Sequence, residues 1–349
     1  MEETTNKTIS LSLYDTQVLK GIALILLLCH HCWYEGKGFD EFLLGDQHFP
    51  LFEKIGIFCK LCVTIFVFLS GYGLTVSSEK RGGLGNLLVF YRRRFARLMV
   101  NYWLIYLIFV PIGVLFFDRT FTSVYGEQWL KPAIADFFGL HNAVMGHPWG
   151  YNATWWFYSC IILLYLQYPL FYVLRKAWPI LIALVFLLPF HLCLRFPWLW
   201  SCYDYYLAFV CGMSLAVAKP QSGGGVFGKC FLLISLLLIS VLRFKTSEPI
   251  LSDTAITISL IYVYHEIGLS SKIKNVLAFL GQHSFNIFLF HTFINSIYFY
   301  SFIRWSSNPI IIVLTLLATC IPISIFIEWI KVKCSINLIE SFLSGRNKS

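Results

Sequence analysis

The chain reads as an all-α integral membrane protein, a bundle of about ten transmembrane helices with both termini in the cytoplasm. Composition is the first observation behind that expectation. Of 349 residues, 58% are hydrophobic and only 13% charged, with a mean hydropathy of +0.69. A soluble domain carries about a quarter charged residues, so this chain has too little polar surface to cover a water-soluble globule. Run length is the second. Spans of roughly 20 apolar residues, enough to cross about 30 Å of hydrocarbon, are predicted near 15–34, 55–77, 98–117, 155–174 and 178–195. Five more are predicted near 203–218, 226–243, 249–266, 275–300 and 309–330. Loop charge is the third. The stretch 34–54 holds five acids and two bases, whereas 78–97 holds six bases and one acid. Basic loops stay cytoplasmic, and an even number of spans returns the chain to that side.

No repeat at a fixed period and no long linker interrupts the pattern, so residues 1–349 read as one transmembrane domain. Met1 to Ser10 is polar without a basic start, and no small-residue cleavage site follows the first apolar run, which is therefore expected to be a retained span. The net charge of +9 comes from Lys and Arg at span ends. It serves as an orientation signal and does not imply a nucleic-acid partner. The chain has eleven cysteines. Most lie in apolar segments, as buried small hydrophobes do, and no metal site is expected.

Polar groups within spans are costly, which makes each one a functional candidate. The first span holds Lys20, His30 and His31. Lys20 and His31 are eleven residues apart, about three helical turns, so they share one face with His31 about 16 Å further along. His30 points elsewhere and is expected to be a structural polar residue. Lys20 could equally be a snorkelling interface residue and His31 a bundle contact. Tyr91-Arg92-Arg93-Arg94-Phe95-Ala96-Arg97 precedes the third span. It would anchor the chain at anionic lipid heads, or present Arg94 and Arg97, three apart on one face, to a phosphorylated ligand. Phe68 to Leu74, with Ser70 and Gly71, offers small residues for close helix approach. Leu280 to Ile287 leads to His291, which lies at a depth comparable with His31 in a span running the same way.

These elements, in this order, resemble the acyltransferase-3 family of membrane acyltransferases, whose members typically modify bacterial surface or secreted carbohydrates. The family's first-span basic residue, ten intervening residues and histidine are matched by Lys20 and His31, with Lys where the family usually has Arg. Its Arg-x-x-Arg is matched by Arg94 and Arg97. Its late Gly-x-x-Ser-(Phe/Tyr) with a histidine beyond looks like Gly281, Ser284, Phe285 and His291. Trp155 to Pro169 also resembles a family segment, though Ile161 and Ile162 stand where some carbohydrate O-acetyltransferases have glutamates.

The resemblance implies ten core spans in a cell membrane, a bacterial inner membrane among the expectations. It also implies acyl-CoA, most often acetyl-CoA, as donor and a carbohydrate or glycan precursor as acceptor. In that reading His31 is the catalytic base, or alternatively an acyl-carrying nucleophile. Lys20 assists, Arg94 and Arg97 bind the donor phosphates, and Ser70 and His291 contribute to the pocket. Membrane lipids are the other expected partner. A proton-coupled transporter or lipid-linked sugar flippase is the rival reading, and a non-catalytic sensor on the same scaffold is a third.

Overall fold

In the computed structural model, residues 8–34, 50–177, 200–220, 226–245 and 249–336 are described. The described chain is helical. Helices α1 (Leu13–Trp33), α2 (Pro50–Cys59), α3 (Leu61–Glu79) and α4 (Leu87–Phe116) come first. Three short helices follow: α5 (Phe121–Tyr125), α6 (Leu130–Phe137) and α7 (His141–Met145). A 3-10 turn at Ala153–Trp155 then leads into α8 (Trp156–Val173). Beyond it lie α9 (Trp200–Ala218), α10 (Val226–Lys245), α11 (Pro249–Ile267) and α12 (Ser271–Thr292). A π-helical turn at Phe293–Tyr298, α13 (Tyr300–Ile303) and α14 (Pro309–Lys333) complete the described chain.

Five helical stretches among the described residues are long and apolar enough to cross a membrane. They are Leu13–Trp33, Leu51–Glu79, Leu87–Phe116, Ala153–Val173 and Pro309–Lys333. The expected spans at 203–218, 226–243, 249–266 and 275–300 also fall on helices. Polar residues such as Lys272, Lys274, Gln282, His283 and Asn286 make α12 less apolar than a simple span. The expected span at 178–195 lies outside the described residues.

Three boundaries differ from the sequence reading, each for a local reason. Helix α4 begins at Leu87, eleven residues before the expected 98, because Asn86 caps it by accepting from the Val89 N–H at 3.2 Å. The arginine run therefore lies within the helix. The stretch expected as one span at 55–77 is divided at Lys60, where 3-10-type bonds (Lys60 N to Ile57 O, 3.2 Å; Val63 N to Lys60 O, 3.0 Å) replace the α-helical ladder. The stretch expected at 275–300 leaves α-geometry after Thr292 and widens into the π turn. Such turns frequently mark functional positions.

Two glycine-mediated crossings hold the core. A Cβ at Gly21 would lie 2.0 Å from the Leu277 carbonyl oxygen, and one at Gly281 would lie 1.9 Å from that of Gln17. Helices α1 and α12 thus touch backbone to backbone. Gly71 and Gly212 do the same for α3 and α9, against Phe209 and Phe68. Lipid tails are as apolar as the side chains they meet, so close packing rather than apolar burial drives such association. The small residues of the Phe68–Leu74 stretch serve the close approach expected of them.

The segment from α5 to α7 forms a cap. At its centre Asp136 is buried and accepts from the Tyr151 N–H at 2.6 Å and the Tyr125 hydroxyl at 2.5 Å. Burial pushes its carboxyl up to about 6 despite those bonds. Tyr151 also donates to the Arg119 carbonyl at 2.7 Å and the Val110 carbonyl at 3.1 Å, joining the cap to the end of α4. Asn152 is buried and holds Thr154 through its side-chain oxygen, which accepts from the Thr154 N–H and hydroxyl.

Candidate active site

Helices α1 and α12 run parallel and in register along their whole length. The Tyr14 hydroxyl donates to Asn275 Oδ1 at 2.6 Å, Gly21 faces Gly281, and the rings of His31 and His291 stand 4.7 Å apart. Each pair is separated by about 260 positions in sequence. Two histidines expected at one depth are therefore in contact. At the same level Asn295, on the π turn, donates to the His31 carbonyl at 2.7 Å. Arg304 in turn donates to Asn295 Oδ1 at 3.0 Å and to its carbonyl at 2.9 Å. The π turn thus fixes the last turn of α1 from the side.

The histidine tautomers follow from their partners. His291 Nδ1 lies 3.0 Å from the carbonyls of both Ile287 and Phe288. A carbonyl only accepts, so Nδ1 carries the proton and Nε2 keeps its lone pair. His30 Nδ1 likewise donates to the Gly56 carbonyl at 2.8 Å, joining α1 to α2. The bond ties His30 to the α2 backbone, and its ring also stands 4.8 Å from His31.

A cavity of about 370 Å³ opens beside His31. His30, His31, Lys60 and Phe288 form one part of its wall, and Trp156, Phe157 and Asp204 another. Asn142, Gly146 and Pro148 of the cap also line it, as does Thr154. The volume sits at the lower end of the roughly 300–1,000 Å³ typical of small-molecule sites.

Eleven residues back along α1, about 16 Å by helical rise, lies a second polar group. Lys20 is close enough to Arg97 for their like charges to interact, and Arg94 and Arg97 both act electrostatically on Tyr165. Tyr165 hydrogen-bonds Ser70. Arg94 stacks over Phe90 at 5.8 Å, and its Nη2 is buried with no hydrogen-bond partner among the described residues. An unpaired buried guanidinium nitrogen beside two further cations is an environment suited to an anion.

The structure thus gathers the candidates into two groups on one helix: His31 with His291, and Lys20 with Arg94, Arg97 and Ser70. Ser70 belongs to the second group, and neither Ser70 nor His291 is among the residues that line the cavity at His31. Sequence reasoning did not single out Lys60, Asp204, Trp156 or Asn295. Lys60 and Asp204 carried a signal, as charges within or beside apolar runs. Asn295 carried one too, as an amide within the expected span at 275–300, but its partner, the His31 carbonyl, is 264 residues away.

A multi-pass helical bundle with a histidine-bearing cavity and a separate basic cluster is the class that the fold and its polar groups define. Within it, residues 13–329 match the acyltransferase-3 family, described as an acyltransferase domain. The match covers nearly the whole chain, and the chain belongs to that family. It is accordingly a multi-pass membrane acyltransferase. Neither a curated protein nor a solved structure matches the chain.

Proposed function

We propose that the chain moves an acyl group, most simply acetyl, from cytosolic acyl-CoA to a hydroxyl of a carbohydrate or glycan precursor. The membrane is then a cell membrane, on the family's usual pattern the bacterial inner membrane, with Arg94 and Arg97 on the cytoplasmic side. The observation that carries this reading is the layout along α1: a basic cluster at Lys20, and a cavity with a histidine at His31 about 16 Å further on.

Arg94 and Arg97 hold the CoA phosphates, with Lys20 adding charge as an ammonium in place of a forked guanidinium. The pantetheine arm extends between the helices toward His31 and delivers the thioester to the cavity. An imidazole nitrogen of His31 takes the proton of the acceptor hydroxyl as its oxygen attacks the thioester carbonyl. The new C–O bond forms, the C–S bond breaks, and the imidazolium returns the proton to the departing thiolate. An ester and free CoA result, and His31 is regenerated. His291 supports the His31 ring, and its own orientation is set by the Ile287 and Phe288 carbonyls. Ser70 orients Tyr165 against the arginines.

The test supplies labelled acetyl-CoA to membranes carrying the wild-type chain or His31→Ala. Loss of label transfer with His31→Ala is expected. Equal transfer by both would remove His31 from the mechanism, and absence of transfer by the wild type would remove the proposal itself.

A further inference from the structure

The cavity wall carries more chemistry than proton removal requires. Beyond the histidines it presents a carboxylate (Asp204), an ammonium (Lys60), an amide (Asn142) and an indole (Trp156) around one space of about 370 Å³. An acyl group and a thioester need none of these; they are served by apolar walls such as Leu27, Val63 and Phe288. Carboxylate, amide and ammonium together accept from and donate to hydroxyls, whereas a flat indole covers the C–H face of a saturated ring. That combination suits a pyranose, which has hydroxyls around its rim and C–H groups on its faces.

Resting on the proposed acyl transfer, we infer that this cavity is the acceptor subsite for one pyranose unit, with Asp204 and Trp156 as its specificity-determining residues. Asp204 accepts from sugar hydroxyls and turns the reacting one toward His31. Trp156 is the platform under the ring. Asn142, Gly146 and Pro148 of the cap also line the space, and its volume, near the lower limit for ligand sites, matches a single ring. The indole is anchored in an aromatic layer: Trp156 lies 5.9 Å from Tyr205 and 6.0 Å from Phe157, centroid to centroid.

The experiment uses the full chain in nanodiscs with labelled acetyl-CoA. The acceptors are the methyl glycosides of glucose, galactose and N-acetylglucosamine, with glycerol as an acyclic control. The wild type is expected to acylate at least one pyranoside with saturation and to discriminate against glycerol. Asp204→Asn is expected to raise the KM for that pyranoside about tenfold or more, the scale of one hydrogen bond to a charged group. The KM for acetyl-CoA should stay within about twofold. Trp156→Leu should raise the pyranoside KM similarly, and Trp156→Phe should recover part of the loss. A purely structural role would instead change both KM values or lower kcat alone, and would overturn the assignment. Acylation of glycerol or membrane lipid but of no pyranoside would overturn the sugar subsite while leaving acyl transfer standing. Absence of transfer to any acceptor would sink both.

Discussion

Replacing Gly281 by alanine tests how the α1–α12 crossing sets the spacing of the two histidines. The new Cβ would stand 1.9 Å from the Gln17 carbonyl oxygen, 2.7 Å from its carbon and 3.0 Å from the Gly21 nitrogen, where ordinary contact begins near 3.4 Å. All three atoms are backbone, so no side chain can swing aside and the helices must part by about 1.5 Å at this point. Overpacking of this kind costs typically about 1–3 kcal/mol. His31 and His291 each lie ten residues further along, about 15 Å by helical rise, so a displacement at the glycines carries to the 4.7 Å ring contact. A misplacement of about 1 Å can cost about 100-fold in rate. Gly281→Ala should therefore lower the thermal midpoint in detergent and reduce kcat for acetyl transfer by about ten- to a hundredfold. Gly73→Ala is the control, because a Cβ there meets nothing within 4 Å and alanine is the better helix former by about 1 kcal/mol. Wild-type turnover by Gly281→Ala, or an equal loss in Gly73→Ala, would refute the argument.

Other perturbations give equally definite outcomes. His31→Ala should cost about 10²–10⁴ in kcat, the range of general base catalysis, with the KM for acetyl-CoA little changed; steady-state kinetics on both substrates separate the two. Arg94→Gln should raise the KM for acetyl-CoA about tenfold or more by removing a charge-assisted phosphate contact, and an unaltered KM would take Arg94 out of the donor site. Asn295→Asp keeps an oxygen for Arg304 but loses the donor to the His31 carbonyl. It should lower kcat and leave both KM values in place, as expected of a positioning residue.

Asp136 makes a pH prediction: its carboxyl is raised from 3.8 to about 6 by burial, so the folded cap binds a proton more tightly than the unfolded chain. The resulting stabilisation is complete below pH 3.8 and is lost as pH rises through 6, a difference of about 3 kcal/mol. Asp136→Asn keeps an acceptor for Tyr125 and Tyr151 without the charge. It should make cap hydrogen exchange less pH-dependent between pH 4 and 7 and slower above 6. An unchanged pH profile would show that the Asp136 proton is irrelevant to the cap.

Much of the candidate site could be read from residue order because its parts are local. Lys20 and His31 share a face through helical rotation alone, and Arg94 and Arg97 do so three residues apart. The depth of His291 followed from counting along its helix. Other parts could not be found this way. The contact of His31 with His291 depends on α1 and α12 being parallel and in register over 260 intervening residues, which the Gly21–Gly281 approach sets. Lys60, Asp204 and Asn142 come from three separate segments and meet only around the cavity. The break at Lys60 and the π turn at Phe293–Tyr298 interrupt runs whose hydropathy alone reads as continuous.

The sequence by itself determined that the chain is a helical membrane protein, where most of its helices lie, and which polar groups sit within them. Hydropathy and charge act over a few helical turns and need no knowledge of neighbours. Only the tertiary structure decided which polar groups meet. In lipid, partner choice among helices rests on close backbone approach and interhelical hydrogen bonds. Those depend on small residues and single polar atoms, here Gly21, Gly281 and Asn295, whose counterparts lie hundreds of positions away.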